Sequence, residues 1–317
     1  MAGSYSDSDY SNKLAAEGRK WNEHLKVEAS GDWNAWLDHP LIAQHYRERS
    51  LVEGLTWEQW VIKTLTGPAE KSLDLGCGSG SRSIAIYEEG ATRFIEGLDV
   101  SEDRVAEGEK FRKEIGIPGM FRVADTNRAS LPAHTYDLIF SCHSFHHFLK
   151  LEDIMEQVHE ALTPRGLFVL EEFVGPTQFQ WTDHQIELVH RLMLLVPERL
   201  RKLRWDAIKD LEGRPTPAEV VAVSPFESIR SGEILPLFKR YFDVVAAKRL
   251  GGTIQHLFYN GIAHNFHSDD PEALRSVQAI WEIEDALIDS ELLPSDFMLL
   301  VGRKIDSPLN TTVQVSP

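Results

Sequence analysis

The sequence predicts an α/β fold, in which a mostly parallel sheet carries helices on both faces. Three apolar segments between residues 71 and 125 predict it, because they follow one another as strands, the first runs into a glycine-rich turn, and each carries an acid near its end. In an open parallel sheet the ligand lies outside the carboxyl ends of the strands. Asp74, Asp99 and Asp125 are therefore expected to meet in one crevice.

The first strand, at 71–75, ends in a turn with glycines at positions 76, 78 and 80. Glycine lets the backbone adopt a positive φ and lets a ligand lie against the main chain, where a Cβ atom would clash. The segment that follows has the composition of a helix start. The turn is expected to hold a nucleotide-like ligand, although a glycine-rich turn alone is a weak signal.

The residues around this turn favour S-adenosylmethionine over NAD or ATP as the ligand. Asp74 lies inside the strand. A carboxylate there attracts a ligand that carries an ammonium and a sulfonium, but gains little beside a phosphate. No glycine stands three positions after Gly78, as in a dinucleotide turn, and the Gly-Lys-Ser/Thr ending of a nucleoside-triphosphate loop is absent from the sequence.

The second strand ends in Asp99, about 20 residues beyond the turn, where nucleotide-binding α/β folds place the acid that holds the ribose hydroxyls. Ser101 follows as the N-cap of a helix, and its first turn carries Glu102 and Asp103, as the helix dipole favours. A third short strand ends in Asp125. These acids support the same ligand site.

On these residues the chain resembles the class I S-adenosylmethionine-dependent methyltransferases that act on small molecules. The resemblance covers roughly residues 70–174, in the order that the family has. The motifs that carry it are Leu73–Gly80, Gly97–Ser101, Val123–Thr126, Tyr136–Ser141 and Leu162–Leu170.

The resemblance implies a Rossmann-like sheet of seven mostly parallel strands with the last one antiparallel. It also implies S-adenosylmethionine as the methyl donor and S-adenosylhomocysteine as the product. It places Asp74 near the methionine ammonium, Asp99 on both ribose hydroxyls and Asp125 on the adenine amino group. The residues expected to contact the cofactor are Asp74, Gly76, Cys77, Gly78, Gly80, Asp99, Val100, Asp125, Thr126 and Ser141.

The segment after the fourth strand holds His143, His146 and His147. A histidine with a pKa near 6.5 is a natural base for the proton of a hydroxyl acceptor. We predict His143 as the first candidate for this role, with His146 beside it and Glu171 facing the acceptor from the next strand. Packing of the loop is the alternative. A metal site through the three histidines is a further alternative, but no metal is predicted, because adjacent histidines rarely converge without a carboxylate.

The sequence predicts disordered tails at 1–15 and 306–317, which are rich in Ser, Asp, Asn, Thr and Pro. A helical cap with many aromatic residues is predicted at 16–66, and the methyltransferase domain at 67–305. Within that domain 175–240 is expected to form a helical insert. The insert either covers the acceptor as a lid or adds a structural layer, and its bulk suggests a medium-sized, partly apolar acceptor.

Helices are predicted in the insert at 183–195 and 197–211, and the basic residues Arg199, Arg201, Lys202 and Arg204 are expected to form a solvated face. The elements predicted after the insert are a strand at 242–247, helices at 254–266 and 271–290, and a strand at 296–301.

The acidic composition limits the partners. The formal net charge of −16 argues against a nonspecific grip on nucleic acid. No apolar run reaches the 18 residues of a membrane span, and the N-terminus does not resemble a signal peptide. Two cysteines are too few for a disulfide framework, so the cytoplasm is the predicted compartment. The predicted partner is a small-molecule acceptor, methylated on oxygen or carbon rather than nitrogen, and a homodimer is one candidate assembly.

Two other functions stay open at this point. A macromolecular methyltransferase is disfavoured, because the Asn/Asp-Pro-Pro-aromatic element of adenine and amide methylation is absent from 141–144, and because Glu171 and Glu172 are adjacent rather than spaced apart. A protein that binds S-adenosylmethionine or S-adenosylhomocysteine for a non-methylating or regulatory role is the alternative to a methyltransferase.

Overall fold

The computed structural model describes residues 6–30, 36–210 and 213–305, with side chains from 6 to 24 in the first of these ranges. The predicted tail at 306–317 and the first five residues of the tail at 1–15 lie outside the described residues.

One sheet forms the centre of the molecule. Its strands are β1 (Ser72–Leu75), β2 (Ile95–Asp99), β3 (Gly119–Val123), β4 (Tyr136–Cys142), β5 (Leu162–Phe173), β6 (Phe242–Gly251) and β7 (Phe297–Lys304). Their order across this seven-stranded sheet is β3-β2-β1-β4-β5-β7-β6. The first five strands pair in parallel, and β7 is antiparallel to both of its neighbours. The predicted fold class is confirmed.

Helices surround the sheet. They are α1 (Asp7–Ser30), α2 (Pro40–Arg49), α3 (Trp57–Leu65), α4 (Ser81–Glu88), α5 (Glu102–Glu114), α6 (Leu151–Ala161), α7 (Asp183–Met193), α8 (Pro217–Val223), α9 (Ser231–Tyr241), α10 (Gln255–Tyr259) and α11 (Pro271–Asp289). The prediction of a disordered tail at 1–15 differs from the structure, in which α1 begins at Asp7. Several of its side chains are buried against the rest of the protein, as described below.

The central strands are buried on both faces, which is why they read as continuous apolar runs. All four residues of β1 are buried. In β4 the side chains alternate, so that Leu138 and Phe140 join the core on one side of the sheet and Ile139 joins the core on the other. Because β1, β2 and β4 are parallel, the polar residues at their carboxyl ends lie at the same edge of the sheet.

The insert matches the prediction at its first helix and differs at the second. A capping box formed by Thr182 and Gln185 starts α7, close to the predicted helix at 183–195. The predicted helix at 197–211 was wrong, since its described residues, 197–210, form a 3₁₀ turn at Glu198–Arg201 and an isolated antiparallel bridge between Lys202 and Ile208. The predicted helix at 254–266 is interrupted after α10, where Gly261 takes a φ of 76°.

Burial of two basic side chains explains the missing helix. Arg201 donates to the carbonyls of Val196 and Lys209, and the Lys209 ammonium donates to the carbonyls of Leu257 and Asn260. The chain therefore folds back on itself to satisfy these groups. The prediction of a solvated basic face was wrong for Arg201, which is buried.

Replacing Gly80 by alanine is expected to destabilise the protein by about 1–3 kcal/mol more than replacing Gly90. The two glycines have φ values of 76° and 77°, so an alanine incurs similar backbone strain at each. At Gly80 the new Cβ would lie 2.2 Å from the Phe121 ring, whereas at Gly90 nothing lies within 4 Å. Urea unfolding of both variants measures the difference, and equal losses would show that the Phe121 contact contributes nothing.

Candidate active site

A cavity opens at the carboxyl ends of β1, β2 and β4. Its wall contains the glycine turn, residues that follow β2 and β3, the loop after β4, and side chains from α1. The predicted site residues that the structure brings together on this wall are Asp74, Gly76, Cys77, Gly78, Asp99, Val100, Thr126 and His143.

Contacts within the protein also require glycine at two positions of the turn, 76 and 80. Gly76 has a φ of 80°, and a Cβ atom there would lie 2.4 Å from the Ser144 hydroxyl oxygen. The glycine therefore allows the loop after β4 to approach the turn. Gly80 caps α4 against Phe121 and does not line the cavity, so its role is to position the turn.

Asp99 is held by the backbone that surrounds it. Its carboxylate accepts hydrogen bonds from the amides of Gly78 and Ser101, both at 2.8 Å. Burial raises the pKa of Asp99. Each carboxylate oxygen keeps capacity for a further donor, so Asp99 can both fix the glycine turn and accept from ligand hydroxyls.

Asp74 presents a second buried carboxylate to the cavity. It is 2% exposed, and the Ser83 hydroxyl donates to it at 2.5 Å. Burial raises the pKa of Asp74 to about 7, and the nearby Asp99 adds to this. A cationic group in the cavity would stabilise both carboxylates in their ionised form, whereas a phosphate would be repelled by them.

Asp125 does not reach the main cavity. The Tyr10 hydroxyl of α1 lies 2.8 and 2.9 Å from its two oxygens, and the Asn127 amide donates to it as well. Asp125 lies instead in a neighbouring groove between α1 and β3. Its predicted contact with the adenine amino group stays a prediction.

Ser141 is also outside the cavity wall. It is fully buried, and its hydroxyl donates to the Leu75 carbonyl at 2.7 Å and lies 2.7 Å from the Ser144 hydroxyl. Ser141 therefore links the ends of β1 and β4 by a hydrogen bond and contacts the loop that lines the cavity.

Side chains from α1 close one side of the cavity. Leu14, Glu17 and Trp21 line it at the three- and four-residue spacing of one helix face. Glu17 is 3% exposed and accepts from Trp21 and from the Ser224 hydroxyl, which lies in the insert. Sequence reasoning missed these residues, because the predicted tail at 1–15 separates Leu14 from the predicted cap and only tertiary packing brings Glu17 to the cavity.

His143 is the histidine that faces the cavity beside the end of β4. Its backbone takes a left-handed φ of 53° directly after β4. Its Nε2 lies 3.6 Å from Glu171, which also accepts from the Trp57 indole at 3.2 Å. Glu171 does not line the cavity, so it is suited to orient His143 rather than to touch an acceptor.

His146 is turned away from the cavity. Its Nδ1 lies 2.5 Å from Glu172 and its Nε2 lies 3.5 Å from Glu227. Burial lowers the pKa of His146, but the two carboxylates outweigh it and raise that pKa to about 10. A ring that stays protonated at neutral pH cannot accept a proton, so the structure does not favour the predicted catalytic role of His146.

Aromatic side chains border the site beyond His143. The His143 ring lies 6.0 Å from the Tyr46 ring and 5.9 Å from the Phe297 ring, centre to centre. Tyr46 is 5% exposed, and its hydroxyl has no hydrogen-bond partner among the described residues. This aromatic cluster, which continues away from His143, consists of Trp36, Tyr46, Phe173, Phe179, Trp181, His256 and Phe297.

Comparison with known proteins identifies the central part of the chain. Residues 73–166 match the sequence family described as a methyltransferase domain. This stretch is a methyltransferase domain. It runs from β1 to the start of β5 and holds the glycine turn, Asp99 and the histidine loop. The predicted class I resemblance is confirmed, and the match supports S-adenosylmethionine as the cofactor.

Two curated relatives share this methyltransferase domain. Squalene methyltransferase 1 of Botryococcus braunii is 33% identical over 116 residues, which are 35% of this chain and 30% of that protein. 24-Methylenesterol C-methyltransferase 2 of Arabidopsis thaliana is 24% identical over 166 residues, 48% of this chain and 46% of that protein. The chain thus matches less than half the length of either relative.

A solved structure with a similar arrangement is geranyl diphosphate C-methyltransferase from Streptomyces coelicolor A3(2), at 12% identity and a TM-score of 0.48, covering 78% of this chain and 77% of that chain. Among the described residues of the present protein, no helix has both the length and the apolar character to cross a bilayer.

The affinity for S-adenosylhomocysteine is expected to rise by roughly tenfold between pH 5.5 and pH 7.0, because the Asp74 carboxyl, with its pKa of about 7, must ionise to attract the ligand ammonium. An Asp74→Asn variant should bind more weakly and lose this pH dependence. Isothermal titration at several pH values provides the measurement.

The matched control is Asp125→Asn, since that carboxyl lies outside the main cavity and bonds Tyr10. It should keep the pH dependence of the unmodified protein. A pH profile in Asp74→Asn that is as steep as that of the unmodified protein would assign the titrating group to another residue.

Proposed function

We propose that the chain is an S-adenosylmethionine-dependent methyltransferase that methylates a medium-sized, partly apolar small molecule on oxygen or carbon. The observation that carries the proposal is the pair of carboxylates, the buried Asp74 and the partly buried Asp99, on the wall of a cavity that the glycine turn also lines. Two carboxylates at this position suit a cationic nucleoside and disfavour a dinucleotide or a nucleoside triphosphate.

The residues on the cavity wall fit this cofactor. Asp99 has free acceptor capacity for ribose hydroxyls, Asp74 can face the ammonium, and the backbone of Gly76 and Gly78 lies bare beneath them. When bound, S-adenosylmethionine supplies a methyl group already activated by its sulfonium. The protein must therefore align the acceptor, exclude water and manage the acceptor's proton.

His143 is placed to take that proton. It lies on the cavity wall with its Nε2 near Glu171, whose carboxylate is held by Trp57 and lies 3.4 Å from the Arg82 guanidinium. A carboxylate in this position orients the imidazole and stabilises the imidazolium that forms. In this account His143 acts as the base and Glu171 is a positioning residue.

The aromatic cluster supports an apolar acceptor. It contacts the His143 ring through Tyr46 and Phe297, and its other members come from the N-terminal cap, β5, the insert and α10. Two relatives of the methyltransferase domain are named for methylation of squalene and of a methylenesterol, which are apolar molecules. Their names support the same class of acceptor here.

The remaining predictions on partners and compartment are also proposals. The net charge of −16 supports a small molecule over nucleic acid. The free thiols of Cys77 and Cys142 are consistent with the reducing cytoplasm. A homodimer stays a prediction.

Replacing His143 by alanine is expected to lower turnover by about 10²–10⁴-fold, while the affinity for S-adenosylhomocysteine changes little, because the ring acts on the acceptor rather than on the nucleoside. The assay follows the formation of S-adenosylhomocysteine with a panel of isoprenoid, sterol and phenolic acceptors. The panel first identifies an acceptor for the unmodified protein.

The control is His184→Gln, which changes an exposed histidine on α7 and should leave turnover unchanged. Equal turnover in His143→Ala and the unmodified protein would exclude His143 as the base. No product with any acceptor, despite tight binding of S-adenosylmethionine, would favour the non-methylating alternative.

A further inference from the structure

Three side chains converge beside the cavity, outside the residues assigned to the cofactor. They are His146 and His147, in the 3₁₀ turn Phe145–His147, and Glu227, in the loop between α8 and α9. One potential ligand atom from each lies within 4.8 Å of the others. We call these three residues the His-His-Glu cluster.

The separations within the cluster fall within the range of ion pairs but are longer than direct hydrogen bonds. The Nε2 atoms of His146 and His147 lie 3.5 and 3.9 Å from the two carboxylate oxygens of Glu227. A hydrogen bond between an imidazolium and a carboxylate is shorter, at about 2.7–2.9 Å. Two ligand atoms of one tetrahedral ion, each about 2.1 Å from it, are about 3.4 Å apart. The 3.5 Å separation at His146 is close to this ligand spacing, whereas the 3.9 Å separation at His147, which involves the other oxygen of Glu227, is longer.

The second ring nitrogen of each histidine, Nδ1, lies close to a buried carboxylate. The Nδ1 of His146 lies 2.5 Å from Glu172, and the Nδ1 of His147 lies 3.0 Å from Glu17, although the latter is not aligned for a straight hydrogen bond. Histidines that bind metals typically direct the ring nitrogen that does not bind the metal to a carboxylate or carbonyl, which leaves the other nitrogen free to coordinate. His146 has this arrangement through its hydrogen bond to Glu172, and the His147 Nδ1 lies within ion-pair distance of Glu17.

The charges around the cluster favour a cation. Glu172 is fully buried, Glu17 is 3% exposed, and Glu227 has only a partly exposed side chain. These three carboxylates surround two imidazoles, so negative charge is in excess even when both rings are protonated. A divalent cation bound by neutral rings would give the same net charge while replacing the two protons.

We propose that His146, His147 and Glu227 bind a divalent first-row transition-metal cation, with its open coordination positions toward the cavity that His147 lines. Two imidazoles and one carboxylate suit zinc or iron better than magnesium or calcium. This proposal replaces the sequence-based prediction that no metal is bound. It also differs from a three-histidine site, because His143 lies near Glu171 rather than Glu227.

An ion here would join three parts of the fold. The cluster reaches α1 through Glu17, the end of β5 through Glu172, and the insert through Glu227. Bound metal would therefore fix α1 across the cavity as well as offer a Lewis acid beside it. The proposal does not rest on the proposed methyltransferase activity, because metal binding can be measured without cofactor or acceptor.

The test is equilibrium dialysis of the chelator-treated full chain against Zn²⁺ and, separately, Co²⁺, with the bound metal counted by mass spectrometry. The unmodified protein should retain one ion per chain. Glu227→Gln should bind at least about tenfold more weakly, since it loses a charged ligand. Glu187→Gln, an exposed glutamate on α7, is the matched control and should bind as the unmodified protein does.

Retention of no stoichiometric ion by the unmodified protein would overturn the proposal, as would equal retention by Glu227→Gln. If Glu227→Gln does not fold, pulsed electron paramagnetic resonance of the unmodified protein loaded with Cu²⁺ decides the question. Coupling to imidazole nitrogens is expected, and a bound ion without such coupling would contradict the site.

Discussion

The buried carboxylate of Glu172 holds the loop on which the whole site depends. One of its oxygens accepts from the amides of Ser144 and Phe145, at 2.9 and 2.6 Å. The other accepts from the Phe173 amide at 2.6 Å and lies 2.5 Å from His146. Leaving such a charge buried without these partners would cost several kcal/mol. The loop after β4 is therefore fixed in one conformation.

That conformation determines both faces of the site. Ser144 is pressed against Gly76, so the glycine turn and the loop after β4 form a continuous wall. His143 is directed to one side, toward the aromatic cluster, and His147 to the other, toward α1. The two histidines thus contact different parts of the protein, although they are four residues apart. The positions of His143 and of the proposed metal site are both set by the hydrogen bonds of the buried Glu172 carboxylate.

The sequence predicted those features that depend on short-range pattern. Strand ends place Asp74 and Asp99 at the cavity, because a strand and its turn are encoded by adjacent residues. Asp125 also follows a strand, as predicted. Its carboxylate nevertheless accepts a hydrogen bond from Tyr10 of α1, and this contact spans 115 positions of the chain. Glu17 and Glu227 could not be found by pattern, since only tertiary packing brings them to the histidines. The helix at 197–211 was mispredicted for the same reason, because the Lys209 ammonium is satisfied by the carbonyls of Leu257 and Asn260, 48 and 51 positions along the chain.

The central claim is that the cavity binds a cationic sulfur nucleoside rather than a dinucleotide. Isothermal titration of the unmodified protein with S-adenosylmethionine, S-adenosylhomocysteine and NAD, in one buffer, tests it most directly. The account predicts saturable binding of both sulfur nucleosides with one site per chain and no binding of NAD. Binding of NAD alone would contradict the account, and the glycine turn would then be a dinucleotide site.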